Sequence, residues 1–148
     1  MVILSQTAIY ALKATMYLAE TEEGRPVRVD DIAEALDVPR NYLSKILSVL
    51  TRTGVLHSAR GPSGGFRLAH VPSELSLSDV IAPFDDIGAS PTCFLGGGRC
   101  SDATPCAAHA RWKGVSAAVR DFLDRTTLDD LTRDASPGTA ALPLSTPA

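Results

Sequence analysis

Apolar residues recur at helical spacing from Ser5 to Ala19, where Ile9, Leu12 and Met16, with Tyr10, Tyr17 and Leu18 beside them, predict an amphipathic helix. Glu22 to Pro26 breaks it. A second, short helix is predicted from Asp30 to Leu36: Asp30 and Asp31 occupy its first turn, where carboxylates suit the helix dipole, and Ile32, Ala33 and Leu36 face inward. Val38 then leads into Pro39, which is tolerated as the first residue of a third helix. There Leu43, Ile46, Leu47 and Leu50 make the i, i+3, i+4, i+7 stripe of a buried face, and Gly54 ends the run.

The early exposed positions of that third helix are Arg40, Asn41, Tyr42, Ser44 and Lys45, a set dominated by hydrogen-bond donors. Two short apolar helices joined by a tight turn, the second with a polar N-terminal half, form a helix-turn-helix, in which those residues enter the major groove of DNA. Two extended runs follow, Val55 to Arg60 and Phe66 to Ala69, joined by Gly61-Pro62-Ser63-Gly64-Gly65. This is a hairpin. Glycines at its tip and Arg60 and Arg67 on its flanks allow close approach to a phosphate or a narrow minor groove, so Arg60, Ser63, Gly64 and Arg67 are the wing candidates.

Ser76 to Phe84 predicts a brief helix with Ser76 and Asp79 at capping-box spacing and Leu77, Val80 and Ile81 on the apolar side. From about Ala107 to Arg125 a longer helix carries Trp112, Val115, Val119 and Phe122 in a seam at steps of three and four, with Leu123 beside it. So narrow a stripe points to pairing with a second copy of the chain, with packing on its own domain as the alternative. The expected organisation is mainly α with a small β-hairpin: a winged helix-turn-helix domain over residues 1–84, a cysteine-rich loop over 85–106, a dimerisation helix over 107–132, and a disordered Pro-, Ala-, Ser- and Thr-rich tail over 133–148.

Composition changes this picture in two ways. The net charge of −3 argues against indiscriminate nucleic-acid binding, yet Val38 to Pro72 carries Arg40, Lys45, Arg52, Arg60 and Arg67 with no Asp or Glu. A stretch of one sign inside an acidic chain points to one surface that meets phosphate, with a solvated basic face as the alternative on charge alone. With 45% apolar residues the chain has enough to bury a core, and no apolar run approaches bilayer length, so it is expected to be cytoplasmic without a membrane partner.

The second change comes from the cysteines, an odd three, all within Cys93-Phe94-Leu95-Gly96-Gly97-Gly98-Arg99-Cys100-Ser101-Asp102-Ala103-Thr104-Pro105-Cys106. A disulfide framework is a poor account of them. Soft thiolates in a flexible loop suit iron, and His109, three residues past Cys106, can project toward the same centre. A Cys3His zinc site is chemically reasonable too, although the wide gaps lack a C-x2-C chelate; on spacing an iron-sulfur cluster is the better fit and zinc stays open. A small metal-bound interaction or electron-carrier protein is the alternative of another class, but it has no need of the acid-free stretch or the Gly-rich hairpin. Enzymatic activity finds no support: Tyr42, His57 and His70 show no paired nucleophile and base.

Tyr10-Ala11-Leu12, Asp31-Ile32-Ala33, Asn41-Tyr42-Leu43 and Arg60-Gly61-Pro62-Ser63-Gly64-Gly65-Phe66, together with the three cysteines, resemble the Rrf-two family of winged-helix regulators, of the IscR and NsrR type, over residues 1 to 132. The resemblance implies a homodimer placing two recognition helices on a two-fold-related double-stranded DNA operator, and a transcriptional regulator, a repressor, that senses redox, iron or cluster status. It also implies a 2Fe-2S cluster on Cys93, Cys100, Cys106 and His109, favoured over a 4Fe-4S cluster, because Ile9 stands close to where relatives of the latter kind take a carboxylate from the partner. The chain departs from the family pattern at Val2-Ile3-Leu4, in place of an Arg, and at Ser44, in place of a recognition-helix Glu.

Overall fold

The computed structural model describes residues 4–21, 24–87 and 92–134. Helix α1 spans Gln6–Glu20, and the Ser5 hydroxyl caps it by accepting from the Ala8 amide at 3.1 Å. Its fully buried face is Ala8, Ala11, Ala14, Thr15 and Leu18, while Ile9, Leu12 and Met16 are half-buried. Small residues let the other helices approach α1 closely, and the bulkier ones flank that contact. Thr15, buried without a charged partner, donates to the carbonyls of Ala11 and Leu12.

Helix α2 spans Val29–Leu36 and closes at Asp37, the one described non-glycine residue with positive φ, at 52°. Pro39 lies one position earlier than its expected place, as the N-cap of α3, Arg40–Arg52. Ile32, Ala33 and Leu36 of α2 and Leu43, Ile46, Leu47 and Leu50 of α3 are buried, as their spacing predicts.

Strands β1 (Leu56–Ala59) and β2 (Gly65–Leu68) pair antiparallel with Leu56 opposite Leu68 and Ala59 opposite Gly65. The chain just before α2 adds a third rung: Val27 and Phe66 exchange two backbone hydrogen bonds of 2.8 Å. A Cβ on Gly65 would sit 2.4 Å from the Val27 carbonyl oxygen, and one on Gly64 2.3 Å from that of Ala59. Glycine is therefore a packing requirement where the hairpin loop joins β2.

After a single 3-10 turn, Pro72–Glu74, α4 covers Leu77–Ile81 with the capping box complete. Helix α5 spans His109–Arg125. The element expected as one helix over 107–132 is two: α5 stops at Thr126, and α6, Leu128–Asp134, turns back onto α1. Thr127 and Asp130 form a second capping box at this corner. The Leu77 amide donates to the Thr126 carbonyl and the Leu128 amide to that of Leu75, both at 2.9 Å. Leu123 and Leu128 accordingly share one core with α1 to α4. No described helix is long and apolar enough to cross a membrane. The tail beyond Asp134 lies outside the described residues.

Candidate functional site

Two groups of sequence-predicted residues are set out by this fold. On α3, Arg40, Asn41 and Lys45 are exposed and Ser44 is half-buried. Tyr42 differs from the expectation of an open, groove-facing position. Its hydroxyl lies 2.5 Å from that of Thr7, and its ring meets Tyr10 edge-on at 5.8 Å, so the side chain braces α3 against α1. On the hairpin, Arg60, Ser63 and Arg67 are exposed, and Gly64 donates its amide to the Gly61 carbonyl to close the tip.

The second group is the cysteine segment. Trp112 Nε1 donates to the Thr92 carbonyl at 2.8 Å and its ring packs 5.4 Å from that of Phe94, so α5 holds the start of the loop directly. Cys93 opens a tight turn: its amide donates to Gly98 and its carbonyl accepts from Gly96. The four expected ligands stand as two pairs. Cys93 Sγ is 3.6 Å from Cys106 Sγ, and Cys100 Sγ is 3.1 Å from His109 Nδ1. Among the described residues no three Cys, His, Asp or Glu side chains gather as they would around a single ion.

The electrostatics differ between the pairs. Backbone N–H groups of Gly97 and Leu95, then Cys106, hold the Cys93 thiol below the usual thiol range, whereas burial, followed by Cys93 and Cys106, pushes the Cys100 thiol up. Gly97 lies beside Cys93 Sγ, and a Cβ there would make ordinary contact with it at 3.5 Å. His109 is oriented from behind: Asp102 Oδ1 lies 2.8 Å from Nε2, and Lys113 binds the same carboxylate at 2.8 and 2.9 Å. Lys113 and His109 together lower the Asp102 carboxyl. Three thiols, an imidazole whose far nitrogen is anchored on a carboxylate, and amides directed at sulfur fit an iron-sulfur cluster in donor chemistry.

The model of the family described as Rrf2, iron-dependent transcriptional regulator, matches residues 4–134. The chain belongs to the Rrf2 family. An HTH-type transcriptional regulator of Aquifex aeolicus (strain VF5) is 37% identical over 131 residues, covering 87% of this chain and 90% of its own. The IscR regulator of Vibrio campbellii (strain ATCC BAA-1116) is 33% identical, covering 88% and 77%. Among solved structures, CymR, the global cysteine regulator of B. subtilis, superposes with a TM-score of 0.78 at 26% identity, over 92% of this chain and all of that one. This Rrf2 protein is thus a transcriptional regulator and not an enzyme, in a family whose regulators bind DNA.

The seam predicted on α5 of the Rrf2 chain divides. Val115 and Phe122 are 51% and 55% exposed, Val119 packs on the core, and Trp112 is committed to the cysteine loop. Sequence reasoning does not single out Asp102 or Lys113, and it marks Asp30 only as a first-turn acid of α2. Lys113, one turn beyond His109 on the same helix face, is the one whose spacing carried a signal.

Proposed function

We propose that this Rrf2-family chain is a homodimeric repressor whose operator affinity is set by an iron-sulfur cluster, of the 2Fe-2S type, held by Cys93, Cys100, Cys106 and His109. The pairing of Cys93 with Cys106 and of Cys100 with His109 at the N-terminus of α5 carries this reading. The family description as iron-dependent and the likeness to IscR regulators support it. When bound, the cluster supplies a redox-sensitive core of iron and sulfide whose loss or oxidation is the signal.

The chain's own residues convert that signal into geometry. Ligation of Cys93 and Cys100 together with Cys106 and His109 ties the loop to α5, with Asp102 and Lys113 fixing the imidazole. Helix α5 presents Val115 and Phe122 to its copy in the partner, so the loop's order biases the population of dimers whose two α3 helices have operator spacing. Arg40, Asn41, Ser44 and Lys45 meet the major groove, with Tyr42 supporting them from α1. Arg60, Ser63, Gly64 and Arg67 meet phosphate or the minor groove.

Anaerobic isolation tests the proposal. A brown protein containing iron and labile sulfide, whose visible absorption is lost on replacing Cys93, Cys100 or Cys106 by Ala and whose operator affinity changes on cluster removal, supports it. A colourless reconstituted sample with neither iron nor sulfide refutes it. The structural likeness to a global cysteine regulator favours a second reading, in which the chain responds to sulfur amino-acid supply without an inorganic core. That reading, like a Cys3His zinc site with equimolar metal and no colour, is separated by the same metal and sulfide analysis.

A further inference from the structure

Arg40 is the first residue of α3, and Asp30 lies in the first turn of α2. The left-handed turn at Asp37 brings them together, and Arg40 Nε donates to Asp30 Oδ1 at 2.5 Å. Both side chains are more than half exposed, 57% and 53%, so the pair contributes little to stability. Its consequence is geometric. Among the described residues the Arg40 guanidinium makes no other hydrogen bond, so Nη1 and Nη2 remain as a two-pronged donor at the N-terminal end of α3.

We propose that Arg40 recognises a guanine in the operator and that Asp30 is the residue that positions it. The inference rests on α3 being the recognition helix, as proposed above. A planar fork with both terminal nitrogens free matches O6 and N7 on the major-groove edge of guanine. The neighbouring carboxylate argues against a phosphate contact. Asp30 neutralises the guanidinium and repels phosphate oxygens, so the pair brings no counterion release, whereas an uncharged base edge incurs no such repulsion. Holding Nε in place before binding also removes rotamers that a free Arg would lose on docking. Lys45 and Asn41, exposed on the same helix, have no recorded acidic partner among the described residues and remain available for phosphate and other base edges.

Selection from a randomised duplex library tests this, using the full-length protein both cluster-reconstituted under anaerobic conditions and cluster-free. Affinities are then measured for the selected site and for copies with single base-pair replacements. The wild type is expected to enrich guanine at one defined position per half-site. Arg40→Ala should lose that preference, by roughly 5- to 150-fold, while other positions are retained. Asp30→Asn should lose part of it at the same position, with a salt slope no shallower than that of the wild type, because the neutralising carboxylate is gone. Uniform weakening on all sequences by Arg40→Ala, with the salt slope reduced by about one, assigns Arg40 to phosphate and overturns the proposal while leaving DNA binding by α3 intact. Full guanine preference in Asp30→Asn overturns it as well. Enrichment of no sequence by the wild type in either form removes the recognition-helix reading itself, and this proposal with it.

Discussion

Replacing Gly65 by Ala probes the coupling between the hairpin and the body of the DNA-binding domain. The added Cβ would lie 2.4 Å from the Val27 carbonyl oxygen and 2.5 Å from its carbon, both backbone atoms that cannot rotate away. Relief requires β2 to move off Val27, and that breaks the two 2.8 Å hydrogen bonds exchanged by Val27 and Phe66. Each such bond contributes about 0.5–1.5 kcal/mol net, giving a loss of about 1–3 kcal/mol before any repacking of Phe66. Gly61→Ala is the matched control. It has φ +95° and open space around its Cβ, so it carries only left-handed strain, on the order of 1–2 kcal/mol. Urea unfolding at fixed protein concentration reads the difference. With a slope of about 2 kcal/mol per molar, Gly65→Ala should lower the midpoint by roughly 0.5–1.5 M. It should also weaken operator binding, because the hairpin tip is no longer held in register with α3. A Gly65→Ala protein with a wild-type midpoint and wild-type DNA affinity would refute the claim that backbone contact at Val27 fixes the hairpin.

Leu128→Ala removes a fully buried side chain of α6 and should cost about 2–5 kcal/mol in chemical denaturation; a loss within ±0.5 kcal/mol would mean that α6 does not dock on the core. Asp130 is held below its ordinary carboxyl range chiefly by the Thr127 amide and then its hydroxyl. Its stabilising share is therefore complete above the unfolded-state value of about 3.9 and disappears as pH falls through the lower folded value. The stability gap between wild type and Asp130→Asn should accordingly be flat above about pH 5 and shrink in acid, and a gap that widens on acidification contradicts the capping role. Phe122→Glu places a charge on the exposed apolar side of α5 and should give monomers in analytical ultracentrifugation with helix content unchanged, whereas a stable dimer would place the interface elsewhere.

Much of this architecture was legible in the order of residues. The stripe Leu43, Ile46, Leu47 and Leu50, the acids at the start of α2, and the glycines around Pro62 each carry a local rule, so the helix-turn-helix and its hairpin follow without tertiary information. Helix α1 follows from its spacing too, with Leu18 buried and Leu12, Met16, Tyr10 and Tyr17 packed against the core, but its fully buried centre of Ala8, Ala11 and Ala14 is selected by close helix packing, which side-chain size does not mark. Helix α6 escaped notice for a related reason. Over Leu128–Asp134 it offers only Leu128 and Leu131 as apolar residues, too few for a periodic signal, although Thr127 and Asp130 already had capping-box spacing.

Local spacing marks Cys93, Cys100, Cys106 and His109 as the four candidate donors, since thiol and imidazole chemistry belongs to residue type. It did not decide who meets whom. That Cys93 stands by Cys106, that Cys100 stands by His109, and that Asp30 holds Arg40 depend on how loops return in space. Trp112 and Tyr42 show the same division: each has a polar tip whose partner, Thr92 or Thr7, is far away along the chain. Periodicity reports which face of an element is apolar, whereas the partner of a polar atom is set by the packing of whole elements, and that only the folded chain specifies.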